Sequence, residues 1–446
     1  MATNTITMRT LYAREFQDTH YKKSIYSLFA DLRFKSLLKD GVTVSWDYDS
    51  DAVAGSLGTD DAYTISAKTI TAETLTVNQK PFYGFFIPGS QKIQDHRPTQ
   101  EKWAKKSMNI IINKIDGYIL NLLRAGAASS LDNGDFGGSS GDPIAVTTGN
   151  AASIYTAARR VLKNQNVIYD TNKVFKNDVK LDSVEKMPVA AIPAELEEKL
   201  LLQIGFKDTG AADQVMKSGF MGMVFGFNTV TSNSLPFSFR YTFAAQPTNG
   251  KVLTIGGSTT TIQTSGSDGV AINWVTTIGT TAGNVLSETD ATTSVGNLVD
   301  FCNDIYEGTT SAKYVGFTRA SMSPAQQRIL DGLSAVDNED GSCVITIAGL
   351  GHVSVSDDDS NSTIDREAVH AIFGTSKSIG MVMQRNPEVA VSAGDLLSAT
   401  STTGNIGKHY VTWALFGAKV FKTQTYQLID VPIASSAFTS PNQVVL

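Results

Sequence analysis

The sequence predicts an α+β chain built from several parts, and three observations carry that prediction. A stretch from Arg97 to Arg124 keeps helical periodicity throughout. The residues before and after it favour strands. From about Arg240 to Lys313 the chain loses most of its charge and becomes rich in Thr, Gly and Ser, the composition of a small β-rich unit set into a host domain.

The long helix comes first because the other parts are arranged about it. Pro98 suits a first helical position, where its missing N–H costs nothing, and Glu101 favours the positive end of the dipole. Met108, Ile111, Ile115, Ile119 and Leu122 recur at three- and four-residue steps and make one apolar face. Lys102, Lys105, Lys106, Asn109, Asn113 and Asp116 are expected to keep the other faces in water. Gly126 is a plausible stop. At ~1.5 Å per residue the helix spans ~40 Å, far beyond an average globular helix, so it is expected to be a structural spine.

Composition narrows the function classes. The chain has 446 residues, enough for two or three cores, and only 18% of them are charged. So little charge fits a protein that buries much of its surface against neighbours. A net charge of −6 argues against a strongly basic nucleic-acid binder. Two cysteines, Cys302 and Cys343, make no disulfide framework, and five scattered histidines show no metal-ligand spacing. No apolar run approaches the ~20 residues needed to cross a bilayer, and MATNTITMRTLYAREF has no signal-like apolar core. The expectation is a protein kept in a cytoplasm or released without the secretory route, with no membrane and no cofactor.

In chain order, residues 1–40 read as an arm, with Tyr12, Phe16, Tyr21, Ile25, Leu28, Phe29, Leu32 and Leu37 set among many charges. Residues 41–90 read as an extended β-loop: two strand-like limbs around an acidic tip carrying Asp47, Asp49, Asp51, Asp60 and Asp61. Thr74-Leu75-Thr76-Val77 alternates with period two. A hairpin alone is marginal in water, so this one needs a partner surface. The spine helix occupies 91–126, and 127–239 form an α/β body with helices over Asn150–Val161 and from Pro193, and a buried strand over Met187–Ile192. The inserted unit covers 240–313 and ends on a helix over Thr293–Glu307, where Cys302 reads as a small core hydrophobe. Residues 314–446 complete the body: Ser323-Pro324-Ala325-Gln326 is a capping box, and Tyr410–Ile433 supply closing strands around Gly417.

Motifs that carry chemistry are weak. Gly137–Gly141 (GGSSG) fits a nucleophile-elbow pattern, but an elbow needs a strand before it and a helix after it, and here the flanks are connector. Asp357, Asp358, Asp359, Asn361 and Asp365 resemble a calcium loop, yet Ser362 and Ala368 stand where its Gly and Glu belong, so a solvated acidic turn is expected. Gly349-Leu350-Gly351-His352 lacks the third glycine and the helix of a dinucleotide turn. His96, His352, His370 and His409 read as surface or satisfied core histidines. No enzyme is expected.

The order of parts points further than any motif. ETLTVNQKPFYGFFIPGSQKIQDHRP running into the helix that ends NKIDGYILNLL, then PVAAIPAELEEKLLLQ followed by GFMGMVFGFNTVTSN, then HYVTWALFGAKVFKTQTYQLIDVPI, resembles the Hong Kong 97-type major capsid proteins of tailed bacteriophages. The likeness is one of order and texture and covers most of the chain outside the insertion. It implies a shell of pentamers and hexamers enclosing double-stranded DNA without binding it specifically. The chain would be a virion component assembled in the host cytoplasm, with a portal and a separate scaffolding protein, since no long charged helical segment precedes the fold. The family's covalent crosslinking residues have no match here. The resemblance makes Asp47, Asp49, Asp51, Asp60, Asp61, Lys102, Lys105 and Lys106 candidates for the subunit interface. A surface-layer or adhesive β-rich protein is the alternative, and a hydrolase resting on GGSSG is a third.

Overall fold

The computed structural model describes residues 24–31, 41–49, 69–88, 99–165, 167, 187–205, 223–256, 269–304, 311–318, 321–391 and 407–434. Most of the expected arm and the tip of the β-loop lie outside the described residues. Among the described residues the helices are α1 (Tyr26–Phe29), α2 (Thr99–Ala125), α3 (Ala151–Asn164), α4 (Ala194–Gly205), α5 (Ala291–Asn303), α6 (Pro324–Gly332) and α7 (Lys422–Thr425). The strands are β1 (Ala30–Asp31), β2 (Thr43–Asp49), β3 (Ile70–Thr76), β4 (Phe82–Pro88), β5 (Ser129–Ser130), β6 (Pro188–Ile192), β7 (Met223–Val224), β8 (Phe227–Thr231) and β9 (Phe237–Phe243). They continue with β10 (Val252–Ile255), β11 (Val270–Val275), β12 (Asn284–Leu286), β13 (Leu333–Asp337), β14 (Ser342–Ile347) and β15 (Val355–Asp357). The last are β16 (Ser362–Thr375), β17 (Ile379–Val391), β18 (Gly407–Lys419) and β19 (Leu428–Ala434).

The chain divides into two compact units: residues 1–19, 30–112 and 379–423 form one, and 20–29, 113–378 and 424–446 the other. In the first, the strands run β1-β17-β18-β4 in one sheet, and β2 pairs with β3 as a separate ribbon. The period-two pattern read at Thr74–Val77 puts Leu75 and Val77 inward, and with Val44 they pack on Val382 and Phe421. Gly417 is required there, because a Cβ on it would stand 2.3 Å from the Thr76 carbonyl oxygen. The ribbon root therefore has its partner within its own unit. The first half of α2 packs through Trp103, set edge-on to Phe85 at 5.5 Å, while Phe85 stacks on Tyr410 at 5.0 Å. The buried Ser107 and Thr412 hydroxyls meet at 2.5 Å.

In the second unit the main sheet runs β13-β14-β9-β16-β6-β8-β7, with β19 on β16 and β5 on β19. One face is apolar: Ile154, Tyr155 and Leu162 of α3 and Leu196 and Leu200 of α4 cover Ile192, Phe227, Phe373 and Val431. Tyr155 meets Phe373 edge to face at 5.0 Å. Glu195 and Glu197 lie in the first turn of α4, where the dipole favours them. The second half of α2 buries Ile115, Ile119, Leu120 and Leu123. Leu122, expected on the apolar face, is only half-buried, and Leu120 and Leu123 are buried instead.

A second sheet, β12-β11-β10-β15, holds Trp274, Ile272, Leu253 and Val285 in its core. Its fourth strand comes from residues 355–357, beyond the insertion read as 240–313. Asp290 caps α5, accepting from the Thr293 amide at 2.8 Å. The helix runs to Asn303, whose side chain bonds both backbone groups of Ala335 at 2.9 and 3.0 Å, and the end expected at Glu307 lies outside the described residues. Cys302 is buried, and burial pushes its thiol well above the usual range; that of Cys343 is pushed up to about 12.

Asp116 departs most sharply from the sequence reading. Expected in water, it is 1% exposed. Its carboxylate accepts from the Ser24 hydroxyl at 3.2 Å and from the Ile25 and Tyr26 amides at 3.2 and 2.9 Å, so it closes the start of α1. Beside it, Gly117 lies against the turn after β14, and a Cβ there would stand 2.8 Å from the Gly349 Cα. Asp116→Ala should strand these donors and lower stability by about 2 kcal/mol. Hydrogen exchange should show residues 24–29 opening first. Gly117→Ala should cost about 1–3 kcal/mol through overpacking against backbone, read as a lower urea midpoint.

Candidate interaction surfaces

Three exposed features of the first unit stand out. The ribbon is buried only at its root. Farther out one face leans on its own unit, Trp46 lying 6.4 Å from Phe421 and Lys422 standing over the Tyr48 ring at 5.7 Å, while Ile70 is 67% exposed and Val42, at the approach to β2, is 60% exposed. Asp47 is exposed on β2. Asp49 lies on the same strand, but its side chain falls outside the described residues, as do Asp51, Asp60 and Asp61 altogether. A two-stranded ribbon with cover on so little of its surface does not stabilise itself in water.

The second feature is one that sequence reasoning missed. β4 hydrogen-bonds to β18 and, among the described residues, to no strand on its other side. FYGFFIP carries no charge, and Phe82 is 72% and Tyr83 40% exposed. An uncharged aromatic edge of this kind is a template for pairing with another chain. The run of aromatics was the available signal, but which of them faced water depended on register. The third feature is the α2 surface carrying Lys105 and Lys106, both exposed; the Lys102 side chain lies outside the described residues.

The second unit exposes a smaller apolar point at the turn from β7 to β8. Phe225 there has φ +48° and Gly226 φ +85°, the backbone of a tight hairpin in which a bulky residue is strained. The Arg159 guanidinium donates to the Phe225 carbonyl at 2.6 Å. Met223 is 65% exposed beside it.

The motifs singled out in the sequence resolve into structural roles. GGSSG closes a turn around Asp132, which accepts from the Gly141 amide at 2.5 Å, the Gly134 amide at 2.9 Å and the Ser140 hydroxyl at 3.2 Å. These bonds, the Gly141 amide first, hold the Asp132 carboxyl below its usual pKa. The elbow context is missing. The acidic turn, expected to be solvated, also hydrogen-bonds within the fold. Asp357 accepts from the Tyr241 and Ser362 hydroxyls, Asp358 from the Val252 amide at 2.7 Å, and Asp359 from the Thr248 amide at 2.7 Å. Its carboxylates pin the loop that leads into β10. In GLGH, Gly349 and Gly351 take positive φ, and Gly349 faces Gly117. His352 sits edge-on to Phe237 at 5.3 Å.

The arrangement nearest to a catalytic one involves residues no motif marked. Ser238 Oγ lies 2.7 Å from His370 Nε2, and His370 Nδ1 lies 2.8 Å from an Asp430 oxygen. They come from the neighbouring strands β9, β16 and β19, so only the pairing of those strands brings them together. This is the hydrogen-bonding order of a hydrolase triad. Ser238 is 5% and His370 4% exposed, so the hydroxyl is enclosed by the fold rather than presented to a substrate.

No family model matches this sequence, and no curated protein does. Solved structures do. A chain of Mycobacterium phage Che8 is similar over 95% of this chain and 96% of its own length, with a TM-score of 0.50 and 11% identity. The chain shares its fold with a phage protein. Two further likenesses are to the capsid structure of cyanophage P-SCSP1u (TM-score 0.46, 10% identity, 96% and 93% covered) and the mature capsid of bacteriophage PhiM1 (0.45, 8%, 96% and 92%).

Phe82→Ser removes an exposed ring without opening a core, so the thermal midpoint should stay within the shift expected for ~0.5 kcal/mol. A larger drop would mean that the ring packs within its own chain.

Proposed function

We propose that this chain is the major capsid protein of a tailed bacteriophage, a structural subunit of the Hong Kong 97-type family, whose copies assemble into an icosahedral shell around double-stranded DNA. The observation that carries the reading is the ribbon and β4 edge of the first unit, which present Ile70, Phe82 and Tyr83 to water on extended backbone. Neighbouring copies would cover these groups, because exposed apolar side chains on a thin ribbon and on an edge strand mark surfaces for another chain. The fold shared with the phage Che8 chain over nearly the whole length supports it.

In this reading the division into arm, β-loop, spine helix, body and insertion belongs to one shell subunit. The acidic loop (Asp47, Asp49, Asp51, Asp60 and Asp61) lies over a neighbour, and Lys102, Lys105 and Lys106 offer it complementary charge. Each contact is weak and many act together, so avidity holds the shell. Pentamers and hexamers form from the same chain, a separate scaffolding protein and a portal take part, and assembly occurs in the host cytoplasm. A net charge of −6 fits a container that does not grip the DNA inside it.

Negative-stain microscopy of the purified chain tests the reading. Shells or tubes are expected, and a monomer at every concentration and salt tried would overturn it. Deleting residues 47–61 should leave a folded subunit that no longer assembles; unchanged shells would remove the loop from the interface. Lys105→Glu with Lys106→Glu should slow assembly, most strongly at low salt, where charge is least screened.

A further inference from the structure

The Ser238–His370–Asp430 chain belongs to a longer polar row. Thr346 on β14 stands opposite Ser238 on β9, and Ser238 opposite Ala368, two residues before His370 on β16. Asp430 follows on β19, opposite Ile372. Residues two apart on a strand share a face, so Thr346, Ser238, His370 and Asp430 lie on one side of the sheet, opposite the apolar side under α3 and α4. Arg124, in the last turn of α2, completes the row. Its guanidinium donates to the Thr346 hydroxyl at 2.8 Å and feels the Asp430 charge.

The charges around His370 can be named from every side. β19 supplies Asp430 and α2 supplies Arg124. β9 supplies the neutral Ser238, its Arg240 being paired with Asp365 of β16. β14 supplies the neutral Thr346, and β6 carries no titratable residue. With the imidazole neutral the row is consistent. Asp430 can only accept, so Nδ1 holds the ring proton, Nε2 accepts, and the Ser238 hydroxyl donates to it. A second ring proton breaks this consistency. Nε2–H then faces a hydroxyl that must turn its own proton away, and Asp430 is shared between imidazolium and guanidinium.

We propose that this row is a pH-operated latch on the C-terminal end of α2, closed while His370 is neutral and loosened when mild acid protonates it. Burial is the largest influence on the ring and, with the nearby Arg124, outweighs Asp430, so the folded protein holds His370 below the usual histidine value of 6.5. The unfolded chain therefore takes up the proton first. The contribution of the closed row is complete above about pH 6.5 and is lost as pH falls below it.

Amide exchange of residues 120–125, corrected for the intrinsic pH dependence, should quicken by up to ~10-fold per pH unit below that value in the unaltered chain. His370→Asn keeps a donor toward Asp430 but cannot take a proton, and it should flatten this response. Arg124→Met removes the competing cation and should shrink it. Histidine C2–H exchange read by mass spectrometry places the His370 midpoint without any substitution, should a variant fail to fold. A midpoint at or above 6.5, or the same acid response in His370→Asn, would overturn the latch.

Discussion

The second unit depends on how closely α2 approaches the backbone it crosses. Gly117 meets Gly349 with no side chain on either residue, and a methyl group on Gly117 would already collide with the Gly349 Cα. That separation sets where the flanking residues of the helix fall. Asp116 arrives under α1, Lys114 reaches Asp331 at 3.0 Å, and Arg124 arrives at Thr346. A helix held farther off by even one methyl group would leave a buried carboxylate and a largely buried guanidinium short of their partners, which costs more than the loss of packing.

Polar groups organise the interior on that side of the sheet. Most large domains separate an apolar core from a polar rim, and the face under α3 and α4 follows that pattern. The opposite face carries an Arg124–Thr346 hydrogen bond beside a Ser238–His370–Asp430 chain. Such a row contributes less net stability than apolar packing of the same size. It does fix register: slipping β16 by one residue would turn His370 to the apolar face and leave Ser238 and Asp430 facing nothing.

The first unit shows the opposite balance. Its ribbon is anchored at the root by Val44, Leu75 and Val77, yet it carries exposed apolar side chains farther out, and among the described residues β4 leaves one edge open. Charge and proline blunt such edges in many proteins, and here they stand only at the ends, as Lys80 and Pro81 before the strand and Pro88 at its close. Between them the segment 82–87 is aromatic and uncharged. The buried root and the exposed apolar side chains thus come from different stretches of the same unit.

The sequence by itself determined the local elements. Periodicity gave the long helix, alternation gave the buried root of the ribbon, and Ser323 with Gln326 gave a capping box that the structure closes at 2.9 and 3.2 Å. These are short-range consequences of side-chain direction and backbone donors, legible without knowing what lies nearby. Tertiary structure alone decided what each polar residue does. Asp116 looked like a solvent-facing residue because the amides it caps lie about ninety positions earlier in the chain. Ser238, His370 and Asp430 carried no motif because their proximity exists only once β9, β16 and β19 pair, and Phe82 read as one more strand aromatic until the edge it occupies was known. Hydrogen bonding and burial depend on separation in space, which one-dimensional spacing encodes only for neighbours in the chain.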